Sequence, residues 1–186
     1  MKFLWSDMSS TFIKTYPELD WLGRADKYED DIFEIINHIK IFDKFSRDEV
    51  QALCRFMHCY AAPRDFLLLK EGDSGDYLLL ILTGKVEVTK IIPGGISKKL
   101  ADVGVGDTLG EMSMIDGQPR FATCTTSIPT DFAVLTRDAF NNVLIQMPRL
   151  GNKLLLTLLQ ATTWRLRETS ERLMPEVVPS KHGTSI

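Results

Sequence analysis

Between Tyr60 and Thr136 the apolar residues fall in short runs, Phe66 to Leu69, Tyr77 to Leu82, Val86 to Ile92 and Asp131 to Leu135, each closed by a turn signal. This period limits the fold more than any other feature, because such runs have the length of strands and are too short for helices with a buried stripe. The separators Gly72-Asp73-Ser74-Gly75-Asp76, Thr83-Gly84-Lys85 and Pro93-Gly94-Gly95 reverse the chain, the last as a hairpin whose glycines accept positive φ. Several strands at this spacing predict a β-barrel or jelly roll.

On either side the period lengthens. Residues 28–60 read as two helices, the first carrying Ile32, Phe33, Ile35, Ile36 and Ile39, the second carrying Val50, Leu53, Cys54 and Met57. Ser46-Arg47-Asp48-Glu49 has the pattern of a capping box, with Glu49 placed to reach back to the cap nitrogen. Beyond Pro148, Leu154, Leu155, Leu158, Leu159 and Leu166 continue without Gly or Pro to about Leu173, after which Pro175, Pro179 and Gly183 end regular structure. The expected fold class is α+β: a jelly-roll core, N-terminal helices and one long C-terminal helix. The expected divisions are a helical extension over 1–41, the main domain over 42–173 and a disordered tail over 174–186. Residues 1–27, with Phe3, Trp5, Phe12, Tyr16, Trp21, Pro17 and Gly23, read as an ordered extension.

Composition narrows the function classes. With 186 residues, 44% hydrophobic and 25% charged, the chain can bury a core of its own. A formal net charge of -3 argues against binding nucleic acid through a broad basic field. No stretch approaches the roughly 18 to 20 apolar residues of a membrane span, and Ser6 and Asp7 interrupt the start before a signal-type apolar region forms. A cytoplasmic location is expected, and the odd count of cysteines, Cys54, Cys59 and Cys124, fits free thiols in a reducing compartment. Cys54 and His58 stand four apart on an expected helix, yet two ligands leave a zinc shell half empty. The three histidines, His38 and His58 in expected helices and His182 in the tail, do not cluster, so no metal is expected. No Ser-His-Asp or Cys-His arrangement has recognisable context, and the chain reads as no enzyme.

One stretch of the β region does not read as strand: Gly106-Asp107-Thr108-Leu109-Gly110-Glu111-Met112-Ser113-Met114-Ile115-Asp116-Gly117-Gln118-Pro119-Arg120-Phe121-Ala122-Thr123. Gly110 and Glu111 open one helical turn that Gly117 and Pro119 close. Outward-facing amides at a helix start suit an anion, glycine allows close approach to the main chain, and Arg120 supplies a planar fork that matches phosphate oxygens. Glu111 would repel such an anion by roughly 4 kcal/mol at about 4 Å for an effective dielectric near 20, so it must meet a donor. A ribose hydroxyl is such a donor. The pair reads as a site for a nucleotide whose phosphate lies folded against its own sugar.

At these residues the sequence resembles the cyclic-nucleotide-binding domain of catabolite activator proteins, kinase regulatory subunits and nucleotide-gated channels. Their phosphate-binding cassette reads G-E, eight residues, then R-x-A-T, and Gly110-Glu111, Gly117, Pro119-Arg120 and Ala122-Thr123 match in register. The resemblance extends from about Phe42 to Leu166 and includes the Glu71-Gly72-Asp73 turn and the Leu82-Thr83-Gly84-Lys85-Val86-Glu87-Val88 hairpin. It implies that Glu111 accepts the ribose 2'-hydroxyl proton and Arg120 pairs with the cyclic phosphate. Main-chain amides near Ser113 and Phe121, in Met112-Ser113 and Phe121-Ala122, would bind the other phosphate oxygens, and Gly110 is where the backbone nears the sugar. The helix after the barrel covers the purine in the family, with Thr162, Trp164 and Arg165 as the candidates here.

Two departures from the family pattern matter. Phe121 replaces the small Ser, Thr or Ala that usually follows the Arg, which removes a hydroxyl for guanine and favours cAMP over cGMP; alternatively the ring crowds the pocket. Pro63-Arg64-Asp65 stands where the family often has Pro-Gly. The resemblance thus implies a cAMP-binding regulatory module acting on a separate, unidentified protein partner, with a homodimer through the C-terminal helix as an even alternative to the monomer. The dozen residues after that helix are too few for a helix-turn-helix, so a complete transcription activator is not expected. The alternative from another class is a degenerate, nucleotide-independent scaffold or protein-interaction module with the same fold, docking through its N-terminal aromatic segment.

Overall fold

The computed structural model describes residues 16–38 and 45–173. Strand β1 (Asp20–Arg24) and a short helical turn (Ala25–Tyr28) precede α1 (Glu29–His38) and α2 (Arg47–Cys54). The chain continues through β2 (His58–Ala62), β3 (Leu67–Leu69), β4 (Tyr77–Ile81), β5 (Lys85–Ile92), β6 (Ile96–Gly104) and β7 (Thr108–Leu109). After α3 (Glu111–Asp116) come β8 (Thr123–Ile128), β9 (Thr130–Thr136), α4 (Arg137–Gln146) and α5 (Pro148–Leu173). The strands form two antiparallel sheets, in the orders β1-β2-β9-β4-β7 and β3-β8-β5-β6, which is the expected jelly roll with helices.

Alternation along β4 explains why its run is apolar throughout. Leu79 and Ile81 point between the sheets, where they join Tyr60, Leu68, Val86, Cys124, Phe132 and Val134 in one core. Leu78, Leu80 and Leu82 point the other way and pack with helix residues such as Ile32, Val50, Leu53, Phe140, Leu150 and Leu154. Each such leucine contributes about 1.5–3 kcal/mol through the apolar surface it removes from water.

Turn chemistry follows the sequence closely. Gly94 and Gly95 take φ of 97° and 79° in the β5–β6 hairpin. Asp65, in the Pro63-Arg64-Asp65 turn, takes φ of 61°, a conformation Asp tolerates better than most side chains. The capping box is formed: Ser46 N donates to Glu49 Oε2 at 2.8 Å and Glu49 N to Ser46 Oγ at 3.3 Å. At Gly151 a Cβ would come within 2.9 Å of Leu144 Cα, so the missing side chain lets α5 lie close against α4.

The helical reading of residues 28–60 overshoots. Helix α2 ends at Cys54, its last turn tightened by Phe56 N to Leu53 O at 2.9 Å and Met57 N to Cys54 O at 3.2 Å. His58 begins β2, where it pairs with Arg24 and Val134, so Cys54 and His58 do not share a helix face. No group of three or more metal-ligating side chains occurs among the described residues. None of their helices is long and apolar enough to cross a membrane. Phe3, Trp5, Phe12, Ile39, Phe42 and the expected tail from residue 174 lie outside the described residues.

Candidate functional site

The segment that does not read as strand forms α3 between two glycines in the left-handed region. Gly110 has φ of 81° and Gly117 φ of 71°, and the Gly117 amide closes the helix by donating to Ser113 O at 3.0 Å. Arg137, at the start of α4, fastens the end of α3 from outside: its Nε donates to Met114 O at 2.8 Å and its Nη2 to Ser113 O at 2.6 Å.

Arg120 then turns back beneath the start of α3. Its main chain is tied to the turn after β3, with Arg120 N donating to Asp73 O at 2.7 Å and Gly72 N to Arg120 O at 2.9 Å. Its side chain is only 4% exposed. Nη1 donates to Gly110 O at 2.9 Å, and the guanidinium carbon lies 4.4 Å from the centre of the Tyr77 ring. Two glycines make room for it: a Cβ on Gly75 would stand 2.1 Å from Arg120 Nε, and one on Gly110 2.5 Å from Nη1. Nη2 is buried and has no hydrogen-bond partner among the described residues. A guanidinium N–H withheld from water without a partner is costly, and an anion at that point would relieve it.

Glu111, 3% exposed, is held next to this arginine. Its carboxylate pairs with Nη1 of Arg165 on α5, while Arg165 Nη2 donates to Thr108 O at 2.5 Å. Burial pushes the Glu111 carboxyl up from its ordinary value, and the guanidiniums of Arg165 and Arg120 oppose this. One carboxylate between two guanidiniums leaves the cluster with one unit of positive charge, which suits a singly charged phosphodiester.

The structure therefore brings Gly110, Glu111, Arg120 and Arg165 together, whereas Ser113, buried on α3, is met by Arg137 at the other end of that helix. Met112 lies on the outer side of α3 and is 49% exposed, while Ala122 is buried. Phe121 faces outward, 52% exposed, with Lys90 Nζ 4.1 Å from the centre of its ring. Lys90 also donates to Phe121 O at 2.6 Å and pairs with Glu71 at 2.9 Å. On α5, the Thr162 hydroxyl donates to its own helix at Leu159 O, 2.9 Å away, and Trp164 is 59% exposed. Nothing in the sequence marks Tyr77, Gly75, Thr108 or Arg137 as site residues. The signal available was the Gly75-Asp76-Tyr77 junction, which reads simply as turn and strand start.

Comparison with known proteins identifies the family to which this fold belongs. The profile of the cyclic nucleotide-binding domain matches residues 60–147. A crystal structure of a cyclic nucleotide-binding domain from Methylobacillus flagellatus KT shares 56% identity and a TM-score of 0.80, covering 88% of this chain and 94% of that one. The chain therefore belongs to the cyclic nucleotide-binding domain family. The CRP-like cAMP-activated global transcriptional regulator of Mycobacterium tuberculosis is 30% identical over 140 residues, 75% of this chain and 61% of that protein. The regulatory domain of Toxoplasma gondii PKA, co-crystallised with cAMP, is 26% identical with a TM-score of 0.57, covering 63% of this chain and 44% of that one. The chain spans about three fifths of the length of the curated relatives it matches first.

Proposed function

We propose that the protein is a non-enzymatic regulatory module that binds a cyclic mononucleotide, cAMP in preference to cGMP, and signals to a separate protein by movement of α5. The observation that carries this reading is the buried, unpartnered Nη2 of Arg120 beside a carboxylate, in a cluster of net positive charge. A cyclic phosphate satisfies the guanidinium, and the ribose 2'-hydroxyl donates to Glu111. Arg165 carries the occupancy of this cluster to α5, because it joins Glu111 and Thr108 to the outer half of the helix. The lack of a hydroxyl at Phe121 supports adenine over guanine.

The unit that performs this is residues 42–173, with 1–41 as an extension that adds β1 to the edge of the larger sheet. A homodimer through α5 fits its exposed Leu155, Leu156, Leu159, Trp164 and Leu166, which lie away from the buried Leu150, Leu154 and Leu158. A cytoplasmic location fits three buried cysteines, all free. One observation favours the scaffold reading: the carboxylate expected to receive ribose is already paired with Arg165.

A thermal-shift panel of cyclic and linear mononucleotides separates the two. A genuine ligand at about 100 times its dissociation constant stabilises the fold by about 2.7 kcal/mol. The expected result is a shift with cAMP, a smaller one with cGMP and none with 5'-AMP. Equal silence across the panel would establish the scaffold.

A further inference from the structure

Arg120 is positioned on one side by Gly110 O and on the other by the face of Tyr77, and Tyr77 is in turn gripped from the N-terminal segment. The Tyr16 and Tyr77 hydroxyls are 2.7 Å apart. Their rings meet edge to face, with centroids 6.5 Å apart and planes at 88°, and Tyr16 also packs on Phe66 at 6.3 Å. Tyr16 is fixed locally by the turn in which Leu19 N donates to its carbonyl at 3.2 Å, and Leu19 is part of the core between the sheets. Residues 16, 77 and 120 thus form a continuous line of contacts from the N-terminal segment to the guanidinium.

From this line we propose that Tyr16 and Tyr77 are positioning residues of the anion site, so that the N-terminal segment is coupled to nucleotide occupancy through Arg120. The inference rests on the pocket reading above and adds a second route out of the site, separate from α5. The chemistry is specific. An aromatic face attracts a guanidinium and fixes its plane, and a desolvated guanidinium gains more from this than an exposed one. Burial raises the Tyr77 phenol well above its ordinary value and the contact with Tyr16 raises it further, so the ring stays neutral across the physiological range. Holding the fork flat before the ligand arrives reduces the ordering that binding requires.

The test is a double-mutant cycle read by calorimetry with cAMP, using Tyr77→Leu, Tyr77→Phe and Tyr16→Phe, each with Arg120 intact and with Arg120→Ala. Tyr77→Leu is expected to weaken binding roughly 5- to 30-fold, Tyr77→Phe, which keeps the ring, less than about 3-fold, and Tyr16→Phe about 2- to 5-fold. In the Arg120→Ala background these losses should vanish, which a merely structural role would not produce. Hydrogen exchange gives a second readout: cAMP should slow exchange of the Leu19 amide in the wild type and not in Tyr77→Leu. If Tyr77→Leu does not fold, Tyr16→Phe in both backgrounds and the wild-type Leu19 exchange decide the matter. Wild-type affinity in Tyr16→Phe together with ligand-independent Leu19 exchange overturns the inference, as do losses that persist unchanged without Arg120. A wild type that binds no cyclic nucleotide overturns the pocket reading and this inference with it. A wild type that binds, with variants that bind equally well, overturns this inference alone.

Discussion

Arg165 and Glu111, 54 positions apart, form the ion pair that joins the C-terminal helix to the phosphate-binding cassette. The carboxylate is buried, whereas about a third of the arginine side chain is exposed, so the pair is worth less than a fully desolvated one. Its effect on the ligand works through charge: without Arg165 the Glu111–Arg120 cluster is neutral, and an arriving phosphodiester meets less attraction. Arg165→Ala is expected to weaken cAMP binding about 3- to 10-fold, with Arg165→Lys in between. Calorimetry on the two variants checks this. Tighter binding in Arg165→Ala would mean that the arginine competes with ribose for the carboxylate instead.

Gly75 tests the shape of the arginine cradle without disturbing the backbone. A methyl group there would overlap Arg120 Nε, and no positive φ is required at this position, so strain does not confuse the result. Gly75→Ala is expected to push the guanidinium out of place and cost at least about 10-fold in cAMP affinity, a misplacement effect on a charge-assisted contact. A fluorescent cyclic nucleotide displacement assay reads it. Unchanged affinity would show that Arg120 does not bind from this position.

His58 gives a pH dependence of stability. Its Nδ1 is buried without a partner among the described residues, and burial lowers the imidazole from its ordinary 6.5, with Arg24 assisting. The unfolded chain therefore takes up a proton that the folded one resists. Stability from this group is fully present above about pH 6.5 and falls as pH drops toward the depressed folded value. Urea unfolding of the wild type should show this loss, and His58→Gln should show less of it. Parallel losses in both proteins would remove His58 from the account.

The three thiols should behave as core groups. Burial raises Cys54, Cys59 and Cys124 each to about 12, so little thiolate forms near neutrality. None is expected to react with an aromatic disulfide reagent in the native state, and all three should react once the chain is unfolded in denaturant. Fast labelling of a native thiol would contradict the burial described for these residues.

The cassette was legible in the sequence because its requirements are local. Gly110 and Gly117 must take positive φ at the two ends of one short helix, and Glu111 and Arg120 are fixed by the spacing between them. The strands that showed clearly were those buried on at least one face, such as β4. Strand β6 did not, because Ile96, Lys98, Lys99 and Leu100 are all exposed at the sheet edge and leave no alternation to read. Strand β2 was hidden for another reason: His58, Cys59 and Tyr60 continue a helical spacing from Cys54, and only pairing with β1 and β9 makes them extended. The Tyr16–Tyr77–Arg120 line was not legible at all, since nothing in the spacing of three residues so far apart announces a contact made by the fold. The same holds for Arg137, which reaches the end of α3 from the start of α4. The family resemblance makes Arg165 a candidate to cover the base; its partner in the structure is Glu111.

The most direct measurement is titration calorimetry of cAMP against the wild type and Arg120→Ala. The account expects saturable binding with one nucleotide per chain, and a loss of about 30-fold or more in the variant, because removing the guanidinium leaves the phosphate without its charged partner. Equal affinity in the two proteins, or no heat from the wild type, would contradict it.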